Sequence, residues 1–198
     1  GAQVIGIDAA PGLLKLARER NPGHNFLEED LEALPFKDET FDFVTGFNSF
    51  QYAGSFSNAL AEAKRVLKTN GKMVICIWDK AEASEATTVL KAIGSLLPPP
   101  PPGTPGPFAL SEDGKVEQVL QSLNLKLISK ERVSCPFLYY SHGDGIKSFM
   151  STGPAASALN FASKKLVEQS IAEALKPYHL TEDLYYLQNS FLLFLVEK

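Results

Sequence analysis

Asp8 closes the apolar run Val4 to Ile7, and Ala9, Ala10 and Pro11 follow it. An acidic side chain at the carboxyl end of a short strand can accept both hydroxyls of a ribose, a bidentate contact strengthened by its charge. The same carboxylate can instead cap the helix that Pro11 starts, so Asp8 alone does not choose between the two roles. A second chemistry-bearing stretch is EEDLEALPFKDETFDFV, residues 28–44. There Asp30 can accept an adenine amine, and the backbone N–H of Leu31 can donate to the ring. Leu34, Phe36 and Phe41 would pin the intervening loop by packing beneath it. An acidic loop between strands explains any one of these residues, but explains the whole run in this order less well. A third group is YYSHGDG, whose Tyr139, Tyr140 and His142 could move a proton for an acceptor. A surface turn with aromatic packing accounts for the same three residues.

The elements that must position these groups alternate between strand and helix over the first two thirds, which predicts an α/β fold with a mostly parallel sheet. Val4 to Asp8 reads as a strand. Pro11 to Arg20 reads as a helix with Leu13, Leu14, Leu16 and Ala17 on its apolar side, ended by Asn21-Pro22-Gly23. NFLEED gives the next strand, FDFVTGF (41–47) a third, and SNALAEAKRVLK a helix capped by Ser57. Asn70-Gly71 provides a turn in which Asn tolerates a left-handed backbone, and KMVICIWD reads as a central strand apolar on both faces. A helix over 83–97 precedes LPPPPPGTPGP (97–107), which reads as a stiff polyproline connection. Residues 110–125 read as a helix with Ser111 near its N-cap, 126–140 as one long strand, 144–177 as helical and 185–198 as a terminal strand. In the helical stretch, Phe149, Met150 and Phe161 read as inward-facing, either as a lid or as core.

The 198 residues are enough for one domain with a sizeable core, and 44% hydrophobic with 21% charged residues fits a globular rather than a disordered chain. A net charge of −4, with Lys and Arg spread along the sequence, argues against a nucleic-acid surface. Two cysteines, Cys76 and Cys135, make neither a disulfide framework nor a zinc site, and no metal ligand set is expected. No run approaches the roughly 20 apolar residues of a membrane span. A soluble, cytoplasmic protein without a membrane partner is the expectation.

VIGIDAAPGLLKLAR, EEDLEALPFKDETFDFV and EAKRVLKTNGKMVICIW resemble consecutive motifs of the class I S-adenosylmethionine-dependent methyltransferases, in the type-11 or ubiquinone/menaquinone-biosynthesis-like branch. The resemblance covers about residues 1 to 80. The family's RVLKPGG stands here as RVLKTNG, with Thr69 and Asn70 replacing Pro and Gly. The terminal YYLQNSFLLFLVEK is similar in position to the family's last, antiparallel strand. The resemblance implies a Rossmann-like sheet flanked by helices and S-adenosylmethionine as cofactor. It places Asp8 on the ribose, Ala9 beside the adenine, Asp30 and Leu31 on the adenine edge, and Phe47 and Asn48 toward the methionine part. Asn48 could equally serve its own turn. It further implies one methyltransferase-like domain over 1–198, with a cofactor-side half (1–80), a proline-rich loop (97–110) and a helical insertion or lid (144–177).

The family's first strand and the glycine-rich turn after it have no counterpart in this sequence. That strand belongs between the one ending at Asp8 and the one ending at Phe47, so its absence would split the sheet. Two explanations follow: an N-terminally truncated chain, or two inner strands closed upon each other. Unpaired edges would also favour association with a second copy. The function expected is methyl transfer to a small-molecule acceptor, impaired if the glycine-rich turn is lacking. The alternative is a catalytically inactive, methyltransferase-like binding or scaffold protein.

Overall fold

The computed structural model describes residues 1–101, 106, 108–181 and 183–198. The chain divides into two compact units, Gly1–Ile77 with Asp113–Glu131 and Leu193–Lys198, and Trp78–Glu112 with Arg132–Leu192. Elements are numbered in chain order.

In the first unit, β1 (Ile5–Asp8) and β2 (Asn25–Glu28) pair in parallel, Asp8 lying opposite Glu28. Between them runs α1 (Pro11–Arg20), with Pro11 pre-set for the first helical position and Arg18 and Arg20 near the negative end of its dipole. Leu14 is buried, whereas Leu13 and Leu16 are exposed, so the apolar face is narrower than the sequence suggests. The cause is the support beneath it. Two strand axes span only about 5 Å, too little to cover a helix's full apolar stripe.

β3 (Phe41–Phe47) and β4 (Leu67–Trp78) form a second parallel pair, joined by α2 (Phe56–Val66). The cap of α2 is Ser55 rather than Ser57. Its side chain accepts the Asn58 N–H at 3.3 Å from an extended backbone (φ −132°, ψ 109°), while Ser57 already lies inside the helix. Ala59, Leu60, Ala63 and Val66 bury one face of α2, and Met73, Ile75 and Ile77 bury one face of β4. Asn70 adopts φ 62°, the left-handed geometry expected of it, but within a bulge of β4 and not in a turn ahead of it. Phe41 faces Leu67 while Phe43 faces Lys72, and the shift absorbs the bulge.

The sheet continues in the order β3-β4-β9-β5, with β5 at Lys126–Ser134 and β9 at Ser190–Glu197. The last strand is antiparallel to β4, because Lys198 hydrogen-bonds with Asn70 and Gly71 while Ser190 accepts from Asp79. α4 (Lys115–Ser122) starts at Gly114, whose φ of 81° suits glycine. Ser111 is not its cap; it sits in a preceding 3₁₀ turn and donates to the Phe108 carbonyl at 2.6 Å.

The second unit contains α3 (Ala86–Gly94), β6 (Phe137–Tyr139), α5 (His142–Met150), α6 (Gly153–Ala158), α7 (Lys164–Leu175), β7 (His179–Thr181) and β8 (Leu184–Leu187). An antiparallel sheet of order β6-β8-β7 lies within it. The long strand expected over 126–140 is therefore two strands, broken at Cys135-Pro136, and Pro has no N–H to continue a ladder. The terminal strand likewise splits at Gln188-Asn189. Asn189 is fully buried there: its Oδ1 accepts from the Ala86 N–H and its Nδ2 donates to the Leu187 carbonyl, both at 3.0 Å. Ser141, Thr152 and Ser163 cap α5, α6 and α7. Phe149, Val167, Ile171 and Leu175 fill this core, while Phe161 is 63% exposed and does not face inward as expected.

Leu97–Pro101 lie outside helices and strands, and the remainder of the proline run falls largely outside the described residues. Among the described residues, no helix is long and apolar enough to cross a membrane, and no group of three or more His, Cys, Asp or Glu side chains is placed to hold a metal ion.

Candidate functional site

At the end of β1 the Asp8 Oδ1 accepts the Ala10 N–H at 2.7 Å, so this carboxylate does brace the turn into α1. Its Oδ2 has no partner among the described residues and remains available as an acceptor. Ala9, beside it, is exposed. The Glu29 N–H donates to the Asp8 carbonyl at 3.2 Å, bringing the loop after β2 alongside. In that loop the Asp30 Oδ1 accepts from the Glu32 N–H at 2.8 Å, a local turn that leaves the other carboxylate oxygen outward. Leu31 is half-buried, and its N–H has no partner among the described residues. The Leu31 N–H and one carboxylate oxygen each of Asp8 and Asp30 are thus without partners among the described residues.

The loop that holds Asp30 and Leu31 is clamped by α2. Glu32 accepts from the Ser55 N–H at 2.9 Å and from Asn58 Nδ2 at 3.2 Å. Arg65 donates to the carbonyls of Leu34 (2.9 Å) and Phe36 (2.7 Å) and pairs with Glu62 and Asp38. Glu62 also accepts the Leu34 N–H at 2.9 Å. The Arg65 guanidinium is the main reason that the Glu62 carboxyl sits below its ordinary range; burial opposes it and the Leu34 N–H helps. Phe36 meets Phe41 edge-on at 4.9 Å, the packing expected of the loop's aromatic residues. The polar clamp was missed in the sequence, where Arg65 reads only as a charge at the helix end. The one available signal was the Glu62–Arg65 spacing of three on a helix.

At the end of β3, Phe47 is 62% exposed. Asn48 adopts φ 55°, donates its N–H to the Cys76 carbonyl at 2.8 Å, and accepts Gln51 Nε2 on its Oδ1 at 2.6 Å. Serving the turn is thus an observed role of Asn48. The turn needs Gly46, because a Cβ there would lie 2.2 Å from the ring of Phe50, itself buried.

Tyr139, Tyr140 and His142 belong to the second unit. The Tyr139 hydroxyl accepts from Ser148 Oγ at 3.3 Å, its ring meets Phe149 edge-on, and burial pushes its phenol pKa up. A phenol shifted in that direction stays protonated at neutral pH and is a poor base. Tyr140 projects into solvent, 75% exposed. His142 stacks on Tyr185 at 5.2 Å, with its Nε2 3.2 Å from the Ala172 carbonyl, and His179 stacks on Tyr185 as well. These contacts are aromatic packing.

The strand order and the antiparallel last strand define a class by architecture: a Rossmann-like α/β fold. Solved structures share it. One is a [4+2]-cyclase, SpnF, at TM-score 0.58 and 17% identity, covering 99% of this chain and 66% of that one. Another is a geranyl diphosphate methyltransferase in complex with S-adenosylmethionine, at TM-score 0.52 and 12% identity, covering 100% of this chain and 69% of that one. Residues 1–75, less than half of the chain, match the family described as a methyltransferase domain. A demethylmenaquinone methyltransferase of Streptomyces griseus is 43% identical over 89 residues, 45% of this chain and 39% of that protein. Its counterpart in Thermus thermophilus is 40% identical over 79 residues, 38% of this chain and 36% of that protein. A malonyl-[acyl-carrier protein] O-methyltransferase of Methylococcus capsulatus is 28% identical over 95 residues, 46% of this chain and 34% of that protein. The chain thus matches less than half the length of these curated relatives.

Proposed function

We propose that this protein binds S-adenosylmethionine at the carboxyl ends of β1, β2 and β3 and transfers its methyl group to a small, apolar or aromatic acceptor. When bound, the cofactor supplies an activated methyl group on a sulfonium sulfur, which keeps the bonding pair as the methyl leaves. The chain's own tasks are to bind and align. Asp8 Oδ2 accepts the ribose hydroxyls, with Ala9 along the adenine. Asp30 accepts the adenine amine, and the Leu31 N–H donates to the ring. Phe47 and Asn48 border the methionine part. The whole chain reads as one methyltransferase-like domain, with 1–80 on the cofactor side and 144–177 as a helical insertion. The higher identity to demethylmenaquinone methyltransferases than to the malonyl-[acyl-carrier protein] enzyme favours a demethylmenaquinone-like acceptor.

The observation that carries this reading is an Asp8 Oδ2 and a Leu31 N–H that are both without partners among the described residues, within a segment that matches a methyltransferase domain family. A second reading is a non-catalytic binding protein on the same fold, favoured by Asp8 and Asn48 each serving its own turn.

Calorimetric titration of the 198-residue chain with S-adenosylhomocysteine, the demethylated product, tests the first reading. Micromolar binding is expected. Asp8→Ala should weaken it at least tenfold, since a hydrogen bond to a charged group contributes about 1.5–3 kcal/mol, with an unchanged circular dichroism spectrum. Absence of binding by the folded chain favours the non-catalytic reading, and unchanged affinity in Asp8→Ala removes Asp8 from the site.

A further inference from the structure

Residues 29–40, between β2 and β3, contain no helix or strand. A segment without a ladder of its own takes its position from the groups it is bonded to. Leu34, Phe36 and Asp38 are held at the carboxyl end of α2 by Glu62 and Arg65. Asp30, ahead of them, is held by Glu32, whose N–H donates to Asp30 Oδ1 at 2.8 Å. The Glu32 carboxylate in turn reaches the amino end of α2. Its Oε1 accepts the Ser55 N–H at 2.9 Å, and its Oε2 accepts Asn58 Nδ2 at 3.2 Å. Gly54 leaves room for this approach, since a Cβ there would lie 2.9 Å from Glu32 Oε1. The anchor is firm, because Ala59, Leu60, Ala63 and Val66 of α2 are buried.

We propose, resting on the S-adenosylmethionine reading above, that Glu32 is a positioning residue for adenine recognition. Both of its carboxylate oxygens are taken by donors at the start of α2, so it acts through Asp30 and not on the ligand. Hydrogen bonds to a charged carboxylate are short and strong, and a recognition group is only as precise as the residues that hold it. Without the Glu32 side chain, the turn at Asp30 and Leu31 loses its tie to α2 and is held only from Leu34 onward. The same carboxylate joins the adenine-side loop to the segment after β3, where Ser55 closes the run that starts at the Asn48 turn. The parts assigned to the two ends of the cofactor thereby share one fixed reference.

The test compares two ligands on the 198-residue chain by calorimetry: S-adenosylhomocysteine and S-inosylhomocysteine. In the second, a carbonyl replaces the exocyclic amine and the adjacent ring nitrogen carries a hydrogen, so the Asp30 and Leu31 contacts are both lost. The wild-type chain should prefer the adenine ligand by about tenfold or more. Glu32→Ala should reduce that preference to about twofold. Glu32→Gln keeps a carbonyl acceptor for the Ser55 N–H and should retain most of it. The ratio of two affinities is blind to a loss of global stability, so a Glu32 that merely capped α2 would leave it unchanged. A preference kept in full by Glu32→Ala, or lost equally in Glu32→Gln, overturns the proposal. Loss of both ligands by a folded Glu32→Ala chain also overturns it, by assigning Glu32 to the ligand or the fold instead of to Asp30. A wild-type chain that binds neither ligand, or both equally, fails one step earlier and overturns the adenine assignment itself.

Discussion

Asp79 follows Trp78 at the end of β4 and is fully buried. Its carboxylate accepts from the Lys80 N–H at 2.8 Å, from Ser190 Oγ at 2.9 Å, and from Arg132, which meets both oxygens. Burial alone would raise its pKa, but Arg132, the Lys80 N–H and Ser190 together hold it below the ordinary 3.8. Because the folded pKa is depressed, Asp79 contributes stability that is present above the unfolded pKa and is lost as pH falls through the folded one. Arg132→Ala removes the cation and leaves a buried carboxylate with two neutral donors. Breaking a buried pair costs about 3–5 kcal/mol. The Arg132 side chain is 64% exposed, so water screens much of the charge, and two hydrogen bonds survive. We therefore expect about 1.5–3 kcal/mol at pH 7. With an m-value of about 2 kcal/mol per M in urea, the midpoint should fall by roughly 1 M. Trp78, the single tryptophan, stacks on Phe191 at 4.4 Å and reports on this region by fluorescence. The sign of the pH dependence is the sharper check. Without Arg132, burial is the leading influence and lifts the Asp79 pKa, so the variant's deficit should shrink as pH is lowered from 7 toward 4. A deficit below 0.5 kcal/mol, or one that does not change over that range, would refute the reasoning.

Gly46→Ala should destabilise the chain by about 1–3 kcal/mol, because its Cβ collides with the buried Phe50 ring. It should also weaken S-adenosylhomocysteine binding through the Asn48 turn, and urea unfolding beside calorimetry separates the two effects. Phe36→Ala should cost about 1–2 kcal/mol, less than the 3–5 of a fully buried phenylalanine, because Phe36 is only half-buried although it keeps its edge contact with Phe41. A loss above 3 kcal/mol in urea unfolding would mean that the loop after β2 is packed more tightly than its exposure indicates.

Local chemistry made part of this protein legible from its sequence. Pro11 and the apolar spacing behind it set α1, the alternation and length of FDFVTGF set β3, and Asn70 carried its left-handed backbone into the structure because few other residues tolerate it. The place of Asp8 at the end of β1 was legible for the same reason, whereas β2 stops at Glu28, two residues short of the expected Asp30. What remained hidden depends on neighbours distant in sequence. Nothing local says that Cys135-Pro136 and Gln188-Asn189 divide continuous β-runs between two sheets, since a strand's apolar residues do not name their partner. The choice of Ser55 over Ser57 as cap turned on where the chain leaves β3, and the capture of the Asp30 loop by Arg65 spans 31 positions, from Leu34 to Arg65. Each strand's sequence specifies an extended, apolar segment, but its partner is decided only when the other strands have found their places, because backbone hydrogen bonds carry no side-chain signature.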